Sequence, residues 1–290
     1  MPELPEVETI VRGLRKTVAG KTITKVHVNA PHSLIQVSDS FGSKSFADVL
    51  QKRRIIQVDR RGKNILIALN GDITLWVHLK MTGRFVHIEY NHPVNKHDLV
   101  IFDFKSTCTN RIRYHLRFND YRRFGRLRLF HNDELWLQKA LANLGPEPLE
   151  ISRDEFISLC RGRTRMIKPA LLDQTFLAGL GNIYTDEALY AARIHPRKIT
   201  STISRKKLYE LHGHIQRLLR KAIRLMGTTV DSFSDLDGRA GRFQKYLLVY
   251  GREGMPCTRC GTTIIRKKIG SRSAHFCPRC QRLRSRNTIH

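Results

Sequence analysis

Near the start of the chain apolar residues recur at helical spacing. Val7, Ile10, Val11 and Leu14 share one face of a helix over residues 5–16, and Pro5 suits its first turn. The pattern then becomes strand-like. Residues 64–69 (NILIAL) and 72–79 (DITLWVHL) flank Asn70-Gly71, a pair whose backbone freedom favours a tight hairpin. Further strand-like runs fall at 99–104, 111–118 and 124–130, so the first 130 or so residues read as a β-rich domain with a helix in front.

Beyond that point the period lengthens again. Helices are expected at 133–143, 152–161, 168–177, 183–192 and 204–226, with Gly145-Pro146-Glu147-Pro148 breaking the first pair. Gly179-Leu180-Gly181 joins the 168–177 and 183–192 segments. Residues 227–242, rich in Gly and Asp, read as a mobile loop, and a small Cys-based module follows 256.

Composition changes the picture through charge. Lys and Arg number 52 against 25 Asp and Glu, a net +27 over 290 residues. Such a chain repels itself until a polyanion neutralises it. Nucleic acid answers this best, because phosphate contacts release condensed counterions; charge alone also fits a ribosomal or membrane-surface role. No apolar run approaches the roughly 18 residues of a membrane span. The start, Met1-Pro2-Glu3-Leu4-Pro5-Glu6, lacks an apolar signal core, so an intracellular protein is expected. In that setting the isolated Cys108 and Cys160 read as buried thiols.

The remaining cysteines pair as Cys257-x2-Cys260 and Cys277-x2-Cys280, sixteen residues apart. Each pair can present two thiolates to one tetrahedral Zn²⁺ at about 2.3 Å, which closes the shell and makes the site structural. His275 is then a neighbour. Arg266, Lys267, Lys268 and Arg272 lie between the pairs, and Arg279, Arg282, Arg284 and Arg286 follow, a cationic surface suited to a DNA backbone.

Pro2 offers a second chemistry. Removal of Met1 exposes a secondary amine titrating near 7.7–8.0, about two units below lysine. Such an amine attacks a sugar carbon at C1′ and forms an iminium, an electron sink for elimination. Glu3 can shuttle protons beside it, and Glu6 stands one helical turn further on. Taken alone, an N-terminal proline is usually a processing remnant.

Several runs together resemble the formamidopyrimidine-DNA glycosylase family: MPELPEVET (1–9), RRGKNILI (60–67), HLKMTGRF (78–85), KHD (96–98), RRFG (122–125) and IKPALLDQ (167–174). GLGNIYTDEALY (179–190) is similar to that family's helix-two-turn-helix signature, and FQKYLLVYGREGMPC (243–257) to the approach to its zinc finger. The likeness runs from residue 1 to about 282. It implies an α+β fold in three parts. An N-terminal catalytic β-sandwich with a leading helix spans 1–132. A helical helix-two-turn-helix domain spans 133–242, and a β-hairpin zinc finger spans 243–290. DNA is expected in the cleft between domains.

The resemblance also implies roles. Pro2 is the nucleophile and Glu3 the adjacent acid; Lys63 assists β-elimination and Arg272 δ-elimination. A base is reached only after flipping out of the stack. The vacated space takes an apolar wedge and a polar reader, which Met81, Arg122 and Phe124 resemble. Without the family likeness Met81 and Phe124 read as core residues, and Lys63 as a strand lysine. Asn182 at a helix start, with Lys168 and His97, is expected at phosphates. Glu6, Arg163 and Tyr184 join the expected DNA-binding set. Thr228 and Thr229 belong to a loop expected over the flipped base.

Two positions depart from the family pattern: Leu99 stands where a second His is common, and Ala274 where a Thr is common. The implied protein is a bacterial base-excision enzyme, cytoplasmic and nucleoid-associated. It acts as a monomer on damaged double-stranded DNA, with one structural zinc and neither organic cofactor nor membrane. The expected activity excises 8-oxoguanine and formamidopyrimidines and nicks the strand by β,δ-elimination. Rival readings are an endonuclease VIII-like enzyme for oxidised pyrimidines and a non-catalytic zinc-ribbon DNA-binding protein.

Overall fold

The computed structural model describes residues 1–31, 33–105, 114–230 and 233–283. Cys108, Arg284, Arg286 and the start of the expected 111–118 strand lie outside them. The chain divides into two compact units, Met1–Asn143 with Ile223–Gln244, and Leu144–Ala222 with Lys245–His290.

The first unit opens with α1 (Leu4–Thr17), whose Leu4, Val7, Ile10, Val11 and Leu14 are buried. Then come β1 (Ile23–Val28), β2 (Ile35–Val37), α2 (Phe46–Leu50), β3 (Ile55–Arg61), β4 (Asn64–Leu69) and β5 (Ile73–His78). β6 (Arg84–Glu89), β7 (Asp98–Phe104), β8 (Tyr114–Asn119), β9 (Arg126–His131), α3 (Asn132–Leu135) and α4 (Lys139–Ala142) follow. One sheet has the order β1-β7-β8-β6, the other β2-β9-β5-β4-β3. Side chains from both sheets and from α1 form one apolar core, including Ile10, Leu14, Val58, Ile65, Phe85, Phe102 and Phe118. Each fully buried large side chain there contributes about 1.5–3 kcal/mol, so Leu14→Ala would cost about 2–5 kcal/mol.

The 70–71 hairpin forms as expected: Leu69 faces Ile73, and Gly71 (φ 80°) and Asp72 (φ 54°) supply the left-handed turn. Two expected helices are shorter. Residues 133–143 hold only the single turns α3 and α4. The segment from 168 stops at Leu172, because Asp173 Oδ1 accepts from the Thr175 amide (2.9 Å) and hydroxyl (2.8 Å) and so starts a turn.

The second unit contains α5 (Arg153–Arg161), α6 (Ile167–Leu172), α7 (Asn182–Ala191) and most of α8 (Arg205–Arg224), then the hairpin β10 (Ile265–Ile269) and β11 (Arg272–Phe276). α8 carries its apolar positions on one face, with Leu208, Leu211, Ile215 and Leu219 buried. Among the described residues no helix is long and apolar enough to cross a membrane.

Candidate nucleic-acid interface and zinc centre

The helix start fixes the N-terminus. Pro2 is partly exposed, whereas Glu3 and Glu6 are buried. Glu6 Oε2 accepts the Glu3 amide at 2.8 Å and its Oε1 accepts the Thr228 amide at 2.7 Å, joining residues far apart in sequence. Gly227 makes this approach possible: its φ is +77°, and a Cβ there would lie 2.6 Å from Glu6 Oε1. The 227–242 segment, expected as a mobile loop, is anchored as well as exposed. Leu236 is buried in the core, and its carbonyl accepts the His87 amide at 2.8 Å.

Lys63 is buried in the turn after β3, next to Gly62 (φ 58°). Glu8 on α1 accepts from Arg60 Nε (3.2 Å), and Arg60 Nη1 donates to the Gly62 carbonyl (2.8 Å). That relay sets the Lys63 turn against the first turns of α1. Burial, then the charges of Lys80 and Lys63, push the His78 pKa down to about 3, so its ring is neutral. His78 Nδ1 accepts the Lys80 amide at 2.9 Å.

Met81 (38% exposed) and Phe124 (46%) are surface residues, where sequence pattern alone suggested core. Arg122 lies over the Phe124 ring, 4.8 Å from its centroid. The group that shapes both loops is Asp120, which sequence reasoning missed. It is fully buried. Oδ2 accepts the Phe124 and Gly125 amides (2.9 and 2.7 Å), and Oδ1 accepts the Arg122 amide (3.2 Å) and the Thr82 hydroxyl. The Asp120 amide donates to the His97 carbonyl at 3.0 Å, bringing the His97 loop to the same hub. Gly83 and Gly125 both pack on the Phe118 ring, where a Cβ would come within 2.9 and 2.5 Å.

In the second unit Asn182 is the first residue of α7, after Gly179 (φ 90°) and Gly181. Its Oδ1 is buried with no hydrogen-bond partner among the described residues. Arg163 and Arg272 are exposed, and Thr229 lies partly buried in the first unit. Tyr184 is fully buried. Lys168, expected at a phosphate, is 0% exposed: its ammonium donates to Asp186 Oδ1 (2.5 Å) and the Ser273 carbonyl (2.6 Å). Asp186 Oδ2 also accepts the His275 amide at 2.9 Å. The next residue, Glu187, accepts the amides of Leu248, Val249 and Tyr250 at 2.9–3.0 Å, while burial raises its pKa. Two adjacent acids of α7 thus hold the finger strand and the segment leading to it. Leu99 and Ala274, the departures from the family pattern, are both fully buried.

Cys257, Cys260, Cys277 and Cys280 place their sulfurs within 4.8 Å of one another. A tetrahedral zinc with bonds of about 2.3 Å separates its sulfurs by about 3.8 Å. The observed separations of 3.9, 3.6 and 3.5 Å fit that ion. The four thiolates form a site for one structural zinc; Tyr190 Oη lies 3.3 Å from Cys257 Sγ behind it. Cys160 is buried, its pKa pushed up to about 12 by desolvation, as an inert core thiol requires.

Three family models match in order: the formamidopyrimidine-DNA glycosylase N-terminal domain over residues 1–127, its H2TH domain over 144–234, and the zinc finger found in FPG and IleRS over 254–283. The chain is 44% identical to the formamidopyrimidine-DNA glycosylase of Pelotomaculum thermopropionicum, covering 98% of this chain and all of that one. It is 42% identical to that of Heliobacterium modesticaldum, over 97% of this chain and all of the other. Among solved structures it is similar to a Lactococcus lactis FPG mutant bound to DNA containing Fapy-dG, with TM-score 0.87, 35% identity and coverage of 97% and 100%. The L. lactis complex with abasic-site DNA matches with TM-score 0.86.

Proposed function

Because the chain belongs to the formamidopyrimidine-DNA glycosylase family, we propose that it excises oxidised purines from duplex DNA through Pro2 and then cuts the strand at the resulting site. It is a DNA glycosylase with abasic-site lyase activity, works as a monomer on damaged DNA, and holds one structural zinc that takes no part in the chemistry. Its relatives are bacterial enzymes, and the place of action we propose is the nucleoid.

Once Met1 is removed, the Pro2 nitrogen attacks C1′ of the flipped nucleotide as the bond from C1′ to the base breaks. Glu3 protonates the sugar ring oxygen as the ring opens, leaving an iminium between Pro2 and C1′. Loss of a C2′ proton then expels the 3′ phosphate by β-elimination, which Lys63 assists; Arg272 assists δ-elimination of the 5′ phosphate. Met81, Arg122 and Phe124 fill the space the nucleotide leaves, with Arg122 facing the orphaned cytosine. Asn182, His97 and Arg163 supply phosphate contacts.

The observation that carries this reading is the N-terminal arrangement, a partly exposed Pro2 ahead of buried Glu3 and Glu6, with Glu6 tied to Thr228. Borohydride reduction on a duplex with 8-oxoguanine opposite cytosine tests it. A trapped adduct carrying protein without Met1 is expected, stronger than on a 5-hydroxycytosine duplex. Active enzyme that yields no adduct, or retains Met1, overturns it.

A further inference from the structure

Where α7 ends, a cavity of about 720 Å³ opens between the loop that follows, the start of α8 and the end of the zinc finger. Five of its eleven lining residues are cationic: Arg193, Lys198, Lys207, Arg279 and Arg282. Chain-wide the share is 52 in 290. Among the described residues no carboxylate lines the cavity. Lys207 is engaged with Glu210 (2.7 Å) and the Ala192 carbonyl (3.1 Å). The other four side chains have no hydrogen bond or ion pair among the described residues.

The local helix adds to the imbalance. α8 opens with Arg205-Lys206-Lys207 and has no acid in its first turn. The positive end of its dipole therefore meets like charge, where an acid would stabilise. Arg205 and Lys207 are paired with Asp154 and Glu210, whereas Arg193, Lys198, Arg279 and Arg282, with no acid partner among the described residues, are relieved by a bound anion. The volume falls within the range of about 300–1,000 Å³ usual for small-molecule sites.

We propose that this cavity is a phosphate-binding site, distinct from the residues assigned to the lesion. Asn182 stands at the opposite end of α7, a helix of ten residues and thus about 15 Å long. The recognised chemistry is a phosphoryl group ringed by guanidinium and ammonium donors. Its source is either the strand backbone away from the lesion or a free phosphate ester. The inference does not depend on the chemistry of Pro2.

The test uses the full zinc-loaded protein and two double variants of equal charge loss. One is Arg193→Asn with Lys198→Gln, asparagine being suited to the left-handed backbone at 193 (φ 56°). The other is Arg217→Gln with Arg220→Gln, exposed on α8 outside the cavity. Calorimetry with inorganic pyrophosphate should give saturable binding, weakened about tenfold in the cavity variant, as expected for lost charge-assisted bonds, and little changed in the other. If strand backbone is the source, a long lesion duplex loses affinity in the cavity variant and its salt slope falls by about 0.9 per lost contact. A short duplex then stays unaffected. If a free ester is the source, both duplexes bind as before while pyrophosphate binding shows the same tenfold weakening. The proposal is overturned if neither pyrophosphate nor the long duplex distinguishes the cavity variant from the surface variant.

Discussion

The carboxylate of Glu6 holds the amide of Thr228 at 2.7 Å, across 222 positions of sequence. The other oxygen of the same group holds the Glu3 amide. One buried acid therefore sets both the residue next to the proposed nucleophile and the root of the loop proposed to cover the flipped base.

Glu6→Ala releases both amides. Each bond to a charged acceptor is worth about 1.5–3 kcal/mol, so base excision should slow at least tenfold. Cleavage of a preformed abasic site needs no base held under the loop, and should fall less. Single-turnover rates on the two substrates measure the difference; equal losses would contradict the assignment of the loop.

Asp120→Asn removes the charge that gathers the Thr82 hydroxyl and the amides of Arg122, Phe124 and Gly125. Loops displaced by about 1 Å cost on the order of a hundredfold in positioning. The kcat/KM on an 8-oxoguanine duplex should drop by about that factor while the zinc content is unchanged. Activity within twofold of the parent would show that the loops hold their shape without the hub.

Lys168→Met leaves Asp186 buried without its cation. Breaking such a pair typically costs about 3–5 kcal/mol, visible as a lower urea midpoint. Because the ammonium is spent inside the protein, the dependence of DNA affinity on salt should keep its slope. A slope reduced by about 0.9 would instead make Lys168 a phosphate contact.

His78 gives stability a pH dependence of known sign. Burial, then Lys80 and Lys63, lower its pKa from 6.5 to about 3. Between those values the unfolded chain binds a proton that the folded chain does not, so stability rises with pH through this window and is complete above it. His78→Gln should flatten the fall in urea midpoint on going from neutral to mildly acidic buffer. An unchanged fall would assign it to other groups.

Chelation of zinc releases four thiolates whose sulfurs sit within 4.8 Å of one another. The β10–β11 hairpin has a small core of Ile269, Ala274 and Phe276, too little to hold it alone. Dialysis against a strong chelator should abolish DNA binding, and zinc should restore it, with metal content and affinity followed together. DNA binding that persists in metal-free protein would remove the finger from the interface.

Local signals account for what the sequence revealed. The stripe from Val7 to Leu14, the Asn70-Gly71 turn and the paired Cys-x2-Cys motifs each act within a few residues, and each forms as read. The pattern predicts no strand at β1, β2, β3 or β6, because their burial alternates irregularly over short spans. Asp186 and Glu187 stand in the sequence only as members of the 179–190 run, and Asp120 lies in no motif at all. Their work, gathering amides from several loops inside a low-dielectric interior, depends on contacts the linear pattern does not display.

The seating of residues 227–242 has a practical corollary. Gly227 and Gly241 meet so closely that a Cβ on Gly241 would fall 2.4 Å from the Gly227 carbonyl. By contrast, Asp237 to Ala240 face solvent, and a Cβ on Gly238 would have no neighbour within 4 Å. A fluorophore attached through Ala240→Cys would therefore leave the anchor points intact. Its emission on mixing with a lesion duplex would report how the environment of this exposed stretch changes when DNA binds.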